Sequence, residues 1–342
     1  MRHTARLRVG LVTSEFPPDL GGVETYAWQL AAELGRRAEL DVSVYAPPSA
    51  ARAASPPCVR VRAWLSSCRS RDWRRLRDEP VDIWHALSAP HAWLALTGLP
   101  TVVSVHGNDF LAPYALTARP CLSHRIPAGA QAWLWRRFKP YWQDRTRALI
   151  ARALPRAAAI LSNSRYTADV LTHQIPAAAP KLSVAGVGVD ARFFDILRMA
   201  PGECPRLLTV SRLAEPRKNV DLVLRALARL RERHRFVYTI AGDGAERPAL
   251  EALAAELGLA DCVHFAGRVD DETLRLLYAS ADLFVLASSI IPGSHEGFGI
   301  VYLEAAAAGV PSLAARLAGA VEAVGDGRSG FLVYAPTIDT LE

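Results

Sequence analysis

The segment "EGFGIVYLEA" sets two carboxylates, Glu296 and Glu304, eight positions apart around Gly297 and Gly299. Glycines at a turn into a helix let main-chain N–H groups approach a phosphate, whereas carboxylates repel one. The helix is expected to begin near Phe298 or Gly299, which leaves Glu296 in the loop. The two acids then face different parts of one ligand, and neither has to meet its phosphates. Upstream, "VSRLAEPRKN" puts Arg212 just past a strand ending at Ser211, with Lys218 six residues on, before a helix expected to be capped by Asn219. A guanidinium grips phosphate through two parallel N–H bonds, and an ammonium is a compact point charge. A solvated loop is the plainer reading, but the place at a strand's carboxyl end favours function.

Two features of the first half read the same way. His106 closes the apolar strand in "VVSVHGNDF" and is followed by Gly107, Asn108 and Asp109. In "FPPDLGGVETY", Gly21 and Gly22 precede a helix whose first N–H groups can face a diphosphate. Ordinary loop chemistry competes in both places, and a lone Gly-Gly is commonly no more than a strand-to-helix turn. "AGDG" lacks the rest of a P-loop or dinucleotide fingerprint and reads as a strand-end turn. The histidines show no zinc-protease spacing, and no Ser/His/Asp order can be specified.

The elements that must position these residues alternate along the chain. Short β-branched runs ("LRVGLVTS", "LDVSVYAP", "VDIWHALS", "TVVSVHG", "AAAILSNS", then "RLLTVSRL", "RFVYTIAGDG", "CVHFAGR", "DLFVLAS", "PSLAAR", "GFLVYAP") interleave with helical patterns over 24–37, 165–173, 220–233, 245–257, 271–279 and 301–308. That alternation predicts α/β architecture with parallel sheets, whose ligands bind at strand carboxyl ends. A chain of 342 residues exceeds what one core fills, so two domains are expected. The turn-rich stretch 186–205 marks the boundary: a first domain over 1–188, a linker over 189–204 and a second domain over 205–342.

Composition narrows the class. The chain is 51% hydrophobic and 22% charged, a globular balance. No apolar run approaches the roughly 18 residues of a membrane span, and the N-terminal "RLRVGLVTS" reads as a strand, not a signal peptide. Five scattered cysteines without close pairing argue for a reducing cytoplasm and against structural zinc. The net charge of +6 concentrates between Gln131 and Arg152, where six cations (Arg136, Arg137, Lys139, Arg145, Arg147, Arg152) face one acid, Asp144. Such a balance admits nucleic acid, anionic lipid or phosphorylated small molecules as partners.

In order along nearly the whole chain, "FPPDLGGVETY", "HGND", "SNSRYTADVL", "VSRLAEPRKN", "AGDG", "HFAGRV" and "EGFGIVYLEAAAAGVP" resemble the retaining glycosyltransferases of family 4. The resemblance implies the GT-B fold, two Rossmann-like doubly wound domains facing each other across a cleft. It also implies transfer of a hexose from a nucleotide sugar, with no metal or other cofactor. Under it, Gly21 and Gly22 approach the diphosphate, Arg212 and Lys218 neutralise it, and Glu304 accepts hydrogen bonds from the ribose. Glu296 and the backbone of Gly297, Phe298, Gly299 and Ile300 hold the donor sugar, which His106 reaches from the other domain. Gly267 and Arg268 meet the base, largely through main chain. Asn108 and Asp109 lie on the acceptor side. Two departures stand out. "LAGAVEAV" has Ala318 and Val321 where the family commonly has the first glycine and the proline of a Gly-Gly-x-Pro-Glu turn, with Glu322 kept, so an altered loop shape is expected. The family also continues with helices beyond the point where this chain stops.

The strings look most like GDP-mannose users of glycolipid and polysaccharide assembly, with a UDP-hexose donor as the alternative. The aromatic residues Trp133, Trp135, Phe138, Tyr141 and Trp142 interleave with the arginines of 131–152. Aromatic rings at headgroup depth with cations outward suit an anionic membrane surface, so a lipid-linked acceptor and a peripheral position on the inner membrane face are expected. The plainer alternative is a helix pair packed on the domain, and Pro140 is expected to prevent one continuous helix. Two rival functions remain: a sugar-nucleotide epimerase of the same fold, and a nucleotide- or nucleic-acid-binding regulator. The second is disfavoured by the lack of any nucleic-acid motif.

Overall fold

The computed structural model of the chain describes residues 6–18, 21–66, 69–113 and 128–342, with side chains from residue 137 onward in the helix that begins at Ala128. It divides into two compact units, Met1–Gly186 and Val187–Glu342.

The first unit carries seven strands: β1 Leu7–Val12, β2 Leu40–Ala46, β3 Val59–Ala63, β4 Ile83–Ala86, β5 Thr101–Val105, β6 Ala159–Ser162 and β7 Leu182–Val184. Their order is β3-β2-β1-β4-β5-β6-β7, and every pairing is parallel. Helices α1 Gly22–Gly35, α2 Arg69–Leu76, α3 Asn108–Leu111, α4 Ala128–Ala153 and α5 Arg165–Gln174 fall between them. Alternate residues of β1 serve opposite faces of the sheet. Val9 and Leu11 join Phe16, Ala27 and Ala31 in one core, while Val12 joins Tyr45, Trp84 and Trp93 in the other. Parallel strands covered on both sides need this two-faced apolarity.

The second unit repeats the plan with β8 Arg206–Val210, β9 Val237–Ala241, β10 Val263–Gly267, β11 Leu283–Leu286, β12 Ser312–Ala315 and β13 Gly330–Val333, ordered β10-β9-β8-β11-β12-β13 and all parallel. Its helices are α6 Val220–Leu230, α7 Arg247–Glu256, α8 Asp271–Ser280, α9 Ile300–Ala307, α10 Ala320–Ala323 and α11 Ile338–Leu341. Residues 189–204 contribute to this unit: Phe193 is buried in its core, Arg198 Nη1 donates to Tyr278 O (3.0 Å) and Met199 N to Ala279 O (2.9 Å).

Each sheet has one place where the strand order reverses, between β1 and β4 in the first unit and between β8 and β11 in the second. Loops leaving neighbouring strands in opposite directions open a crevice there. Two strands escaped the sequence reading. β3, "VRVRA", exposes Arg60 and Arg62 on a sheet edge, where charge discourages pairing with other chains. β7 spans three residues on the other edge. A third difference is a correction. α4 runs unbroken with Pro140 inside it. Proline's φ is already helical, so the loss is one N–H donor and local crowding, and the helix is anchored beyond that point by buried Thr146, Ile150 and Ala153.

Candidate active site

In the second unit, the loops after β8 and β11 are laced together. Asn219, just ahead of α6, adopts φ +54, a left-handed conformation that asparagine tolerates. Its side chain does not cap α6, contrary to the sequence expectation. Nδ2 instead donates to Ala287 O and Ser289 Oγ, each at 2.6 Å, across to the β11 loop. Ser289 N returns a bond to Arg217 O at 2.7 Å. These cross-links deliver Lys218 and Arg217 to Glu296, nearly 80 residues away in sequence.

Glu296 is the hub. Its Oε2 accepts from Lys218 Nζ (2.6 Å), Ser288 Oγ (3.1 Å) and Arg217 Nη1 (3.3 Å). Burial alone raises this carboxyl, but the charges of Lys218 and Arg217 outweigh it and hold the group at about 2. Arg217 is 4% exposed, so its charge must be matched inside the protein. It pairs with Glu215 Oε2 at 2.7 Å as well as with Glu296, and Nε donates to Ser294 Oγ at 2.9 Å. Nothing in the string "EPRKN" distinguishes Arg217 from an arginine of a solvated loop.

Glu304 lies in the second turn of α9 in the opposite electrostatic setting. Its Oε2 accepts from Tyr278 Oη at 3.0 Å. Burial pushes its carboxyl up to about 7; the Tyr278 hydroxyl and the Arg192 charge oppose this, while Asp271 and Asp190 add to it. Between the two acids, Gly299 has φ +88, and a Cβ there would fall 2.5 Å from the Tyr302 ring. Gly319 N donates to Glu296 O at 3.0 Å, and a Cβ on Gly319 would come within 2.2 Å of Gly297 O. The second glycine of the turn is therefore required for packing, and Ala318 before it holds φ +50 without being glycine.

The remaining residues of this unit sit further out. Arg212 is half exposed and pairs with Glu215 at 3.3 Å. Gly267 ends β10, two strands out from the crevice, with φ +68, and accepts from Gly242 N at 2.7 Å; Arg268 beside it is exposed. The "AGDG" glycines serve loop contact, since a Cβ on Gly242 would meet Ser211 O at 1.8 Å.

In the first unit, Gly21 is extended and precedes α1, and a Cβ on it would fall 2.4 Å from the carboxylate of buried Glu24 in the first turn. His106 follows β5. Its Nε2–H donates to Leu87 O at 2.9 Å, and the Tyr26 ring stands edge-on to it at 5.0 Å. Asn108 begins α3, and Asp109 beside it is buried. Its two oxygens accept from His106 N (2.9 Å) and Ala89 N (2.8 Å), so it braces the His106 loop against the loop after β4. A short acid beside two main-chain donors that lack strand or helix partners turns inward to satisfy them. Among the described residues no group of three His, Cys, Asp or Glu could hold a metal ion.

The geometry is that of a strand-order crevice built twice on Rossmann-like parallel sheets, and comparison with known proteins agrees on that architecture. Residues 20–193 match the profile of Glycosyltransferase Family 4, and residues 199–342 that of Glycosyl transferases group 1. The chain is 31% identical to the GDP-mannose-dependent alpha-(1-6)-phosphatidylinositol monomannoside mannosyltransferase of Mycobacterium tuberculosis, over 97% of this chain and 86% of that protein. It is 30% identical to the MMP alpha-(1->4)-mannosyltransferase of Mycolicibacterium hassiacum, over 72% of this chain and 56% of that one. Anabaena HepE in complex with UDP and glucose shares the fold with a TM-score of 0.68 at 20% identity, covering 98% of this chain and 88% of HepE. So does WaaG, a glycosyltransferase involved in lipopolysaccharide biosynthesis, with a TM-score of 0.68 at 20% identity, covering 97% and 88%. The chain thus belongs to glycosyltransferase family 4 and is a hexosyltransferase of the GT-B fold.

Proposed function

We propose that this glycosyltransferase moves mannose from GDP-mannose, with retention of configuration, to a lipid-linked or oligosaccharide acceptor in glycolipid or polysaccharide synthesis. The observation that carries the donor class is the pairing of Glu296, ionised and cation-bound, with Glu304, buried and neutral-leaning, around one glycine turn. A sugar nucleotide offers hydroxyls at both ends and charge in the middle. Glu296 Oε1 accepts from the sugar's hydroxyls, and Glu304 from those of the ribose. Lys218 has three N–H donors and spends one on Glu296, so the others remain for the diphosphate. Together with Arg212 and main-chain N–H groups, it stabilises the charge that grows as the nucleoside diphosphate leaves. The departing phosphate takes the acceptor's proton in a front-face attack, and no metal is called for.

Mannose and guanine are favoured by the mannosyltransferases among the relatives, including one whose name specifies GDP-mannose. A thermal-shift panel of GDP, UDP and ADP tests the base. GDP should raise the melting temperature most, since stabilisation follows RT ln(1 + [L]/Kd); a larger shift with UDP overturns the assignment. Turnover of GDP-mannose unaffected by a chelator is expected, and loss of activity that a divalent ion restores would refute the metal-free reading.

For the acceptor, α4 presents Arg137, Phe138, Lys139, Tyr141, Arg145 and Arg147 to solvent, with the Arg145 guanidinium over the Tyr141 ring at 5.6 Å. Cations and aromatic rings mixed on one helix suit an anionic lipid surface. The side chains of Trp133, Trp135 and Arg136 lie outside the described residues. No helix among the described residues is long and apolar enough to cross a membrane, so attachment through α4 would be peripheral. Sedimentation with phosphatidylglycerol vesicles, lost at high salt or in F138A/Y141A, is the expected result; no sedimentation at low salt refutes it.

A further inference from the structure

His106 is held more firmly than a loop histidine needs to be. Its Nε2–H is committed to Leu87 O, its main-chain N–H to Asp109, and its ring to the edge of Tyr26. Tyr26 is anchored in turn. Its hydroxyl lies 2.8 Å from Ser104 Oγ, and the same oxygen lies 2.9 Å from His85 Nε2. Ser104 and His85 are both buried. They stand on adjacent parallel strands, β5 and β4, the second of which borders the reversal of strand order, and Tyr26 stands on α1, which begins at the glycine turn. A serine hydroxyl donates one hydrogen, so the chain has a direction: Tyr26 to Ser104 to His85, or the reverse. Burial, with the nearby His106 adding to it, holds His85 down at about 4, so it stays neutral at working pH.

We propose that Tyr26, Ser104 and His85 form a positioning relay that fixes the imidazole of His106 relative to the glycine turn at the start of α1. It rests on the reading above that His106 reaches the donor sugar. None of the three touches the reacting atoms; each acts through the next. The relay sets the spacing of two donor-binding features through two hydrogen bonds and one ring contact. A hydroxyl-free aromatic at position 26 keeps the packing but loses that setting.

The test uses the whole chain with 15N-labelled histidine, and turnover of GDP-mannose. Y26F and S104A should each shift the His106 ring resonances, while S104T, which keeps the hydroxyl, should restore them. Both losses should lower kcat about tenfold with KM for GDP-mannose within about twofold, the pattern of misplacement without lost binding. In an H106A background, Y26F should cost nothing further, as expected of groups acting as one unit. Unchanged His106 signals in both Y26F and S104A, or an equal tenfold loss from Y26F in the H106A background, would overturn the relay. Full turnover by H106A would instead sink the donor-sugar role of His106, with the resonance shifts still deciding the relay.

Discussion

The two strand-order reversals have the same topology and opposite chemistry. In the second unit, the crevice between β8 and β11 is ionic: a buried arginine and a lysine close on one oxygen of Glu296, with Glu215 balancing the far side. In the first unit, the crevice beside β1 and β4 is lined by hydrogen bonds and a ring contact among His106, Tyr26, Ser104 and His85, with the Asp109 carboxylate accepting two main-chain N–H groups behind them. A parallel sheet supplies the same opening in both places. What fills it is set by local residues, so fold alone assigns neither role. A diphosphate needs preorganised positive charge, while an uncharged sugar needs shape and hydrogen bonds.

The largest way to break the contrast is to neutralise the ionic crevice. Arg217→Met leaves Glu215 and Glu296 facing each other without their shared cation. Removing one partner of a buried pair costs about 3–5 kcal/mol, read as a fall in denaturation midpoint that high salt does not repair. A variant as stable as the parent would show that Lys218 alone balances the cluster. Lys218→Ala keeps Arg217 in place and should lower kcat/KM by about 10²–10³, the usual scale for one transition-state donor. A loss confined to KM would mean that Lys218 binds the ground state only.

The two glutamates sharpen the contrast through pH. Glu296 has its folded value depressed from 4.5 to about 2. Its contribution is present above pH 4.5 and is lost as pH falls towards 2. Glu304 is raised from 4.5 to about 7. Between those values the folded state binds more protons than the unfolded one, so stability declines as pH rises through this window and the cost is complete above 7. At about 1.4 kcal/mol per pH unit, that cost is about 3 kcal/mol. E304Q should therefore be more stable than the parent at pH 8 and equal to it at pH 4, by chemical denaturation. It should also abolish the rise in GDP affinity expected as pH passes 7 and the carboxylate forms. A parallel offset at both pH values would place the cause elsewhere.

The smallest effect concerns the turn that touches Glu296. Ala318 holds φ +50, which costs a residue with a side chain roughly 1–2 kcal/mol. Glycine removes that strain but adds freedom to the unfolded chain, by about 0.4–1 kcal/mol. A318G should thus gain up to about 1 kcal/mol by chemical denaturation with little change in KM; destabilisation would show that the Ala318 methyl packs more usefully than its backbone suffers.

Much of the candidate site is legible in the sequence. Lys218, Glu296, Glu304 and the glycines of the "EGFG" turn stand out because strand ends are visible as the close of β-branched runs, and charged residues there are unusual. Arg217 was not readable: one position before Lys218, it looks like any loop arginine until its burial is known. The bracing role of Asp109 is equally hidden, because Ala89 N reaches its carboxylate only in the fold. Pro140 was read by local propensity, and packing of the α4 C-terminal half overrode it. The edge strands β3 and β7 carry too little apolar pattern to announce themselves.

By itself the sequence determined the alternation of strands and helices, the parallel sheets that follow from it, the family, and the strand ends that carry chemistry. These depend on periodicity and on short-range order along the chain. Only the tertiary structure decided which charges meet. The adjacency of β8 and β11 brings Lys218 and Arg217 to Glu296, and that of β4 and β5 brings His85 to Ser104. Electrostatic character then follows from burial and neighbours: of two identical side chains, Glu296 is held down at about 2 by the cations on it, and Glu304 is pushed up to about 7 by burial against the Tyr278 hydroxyl.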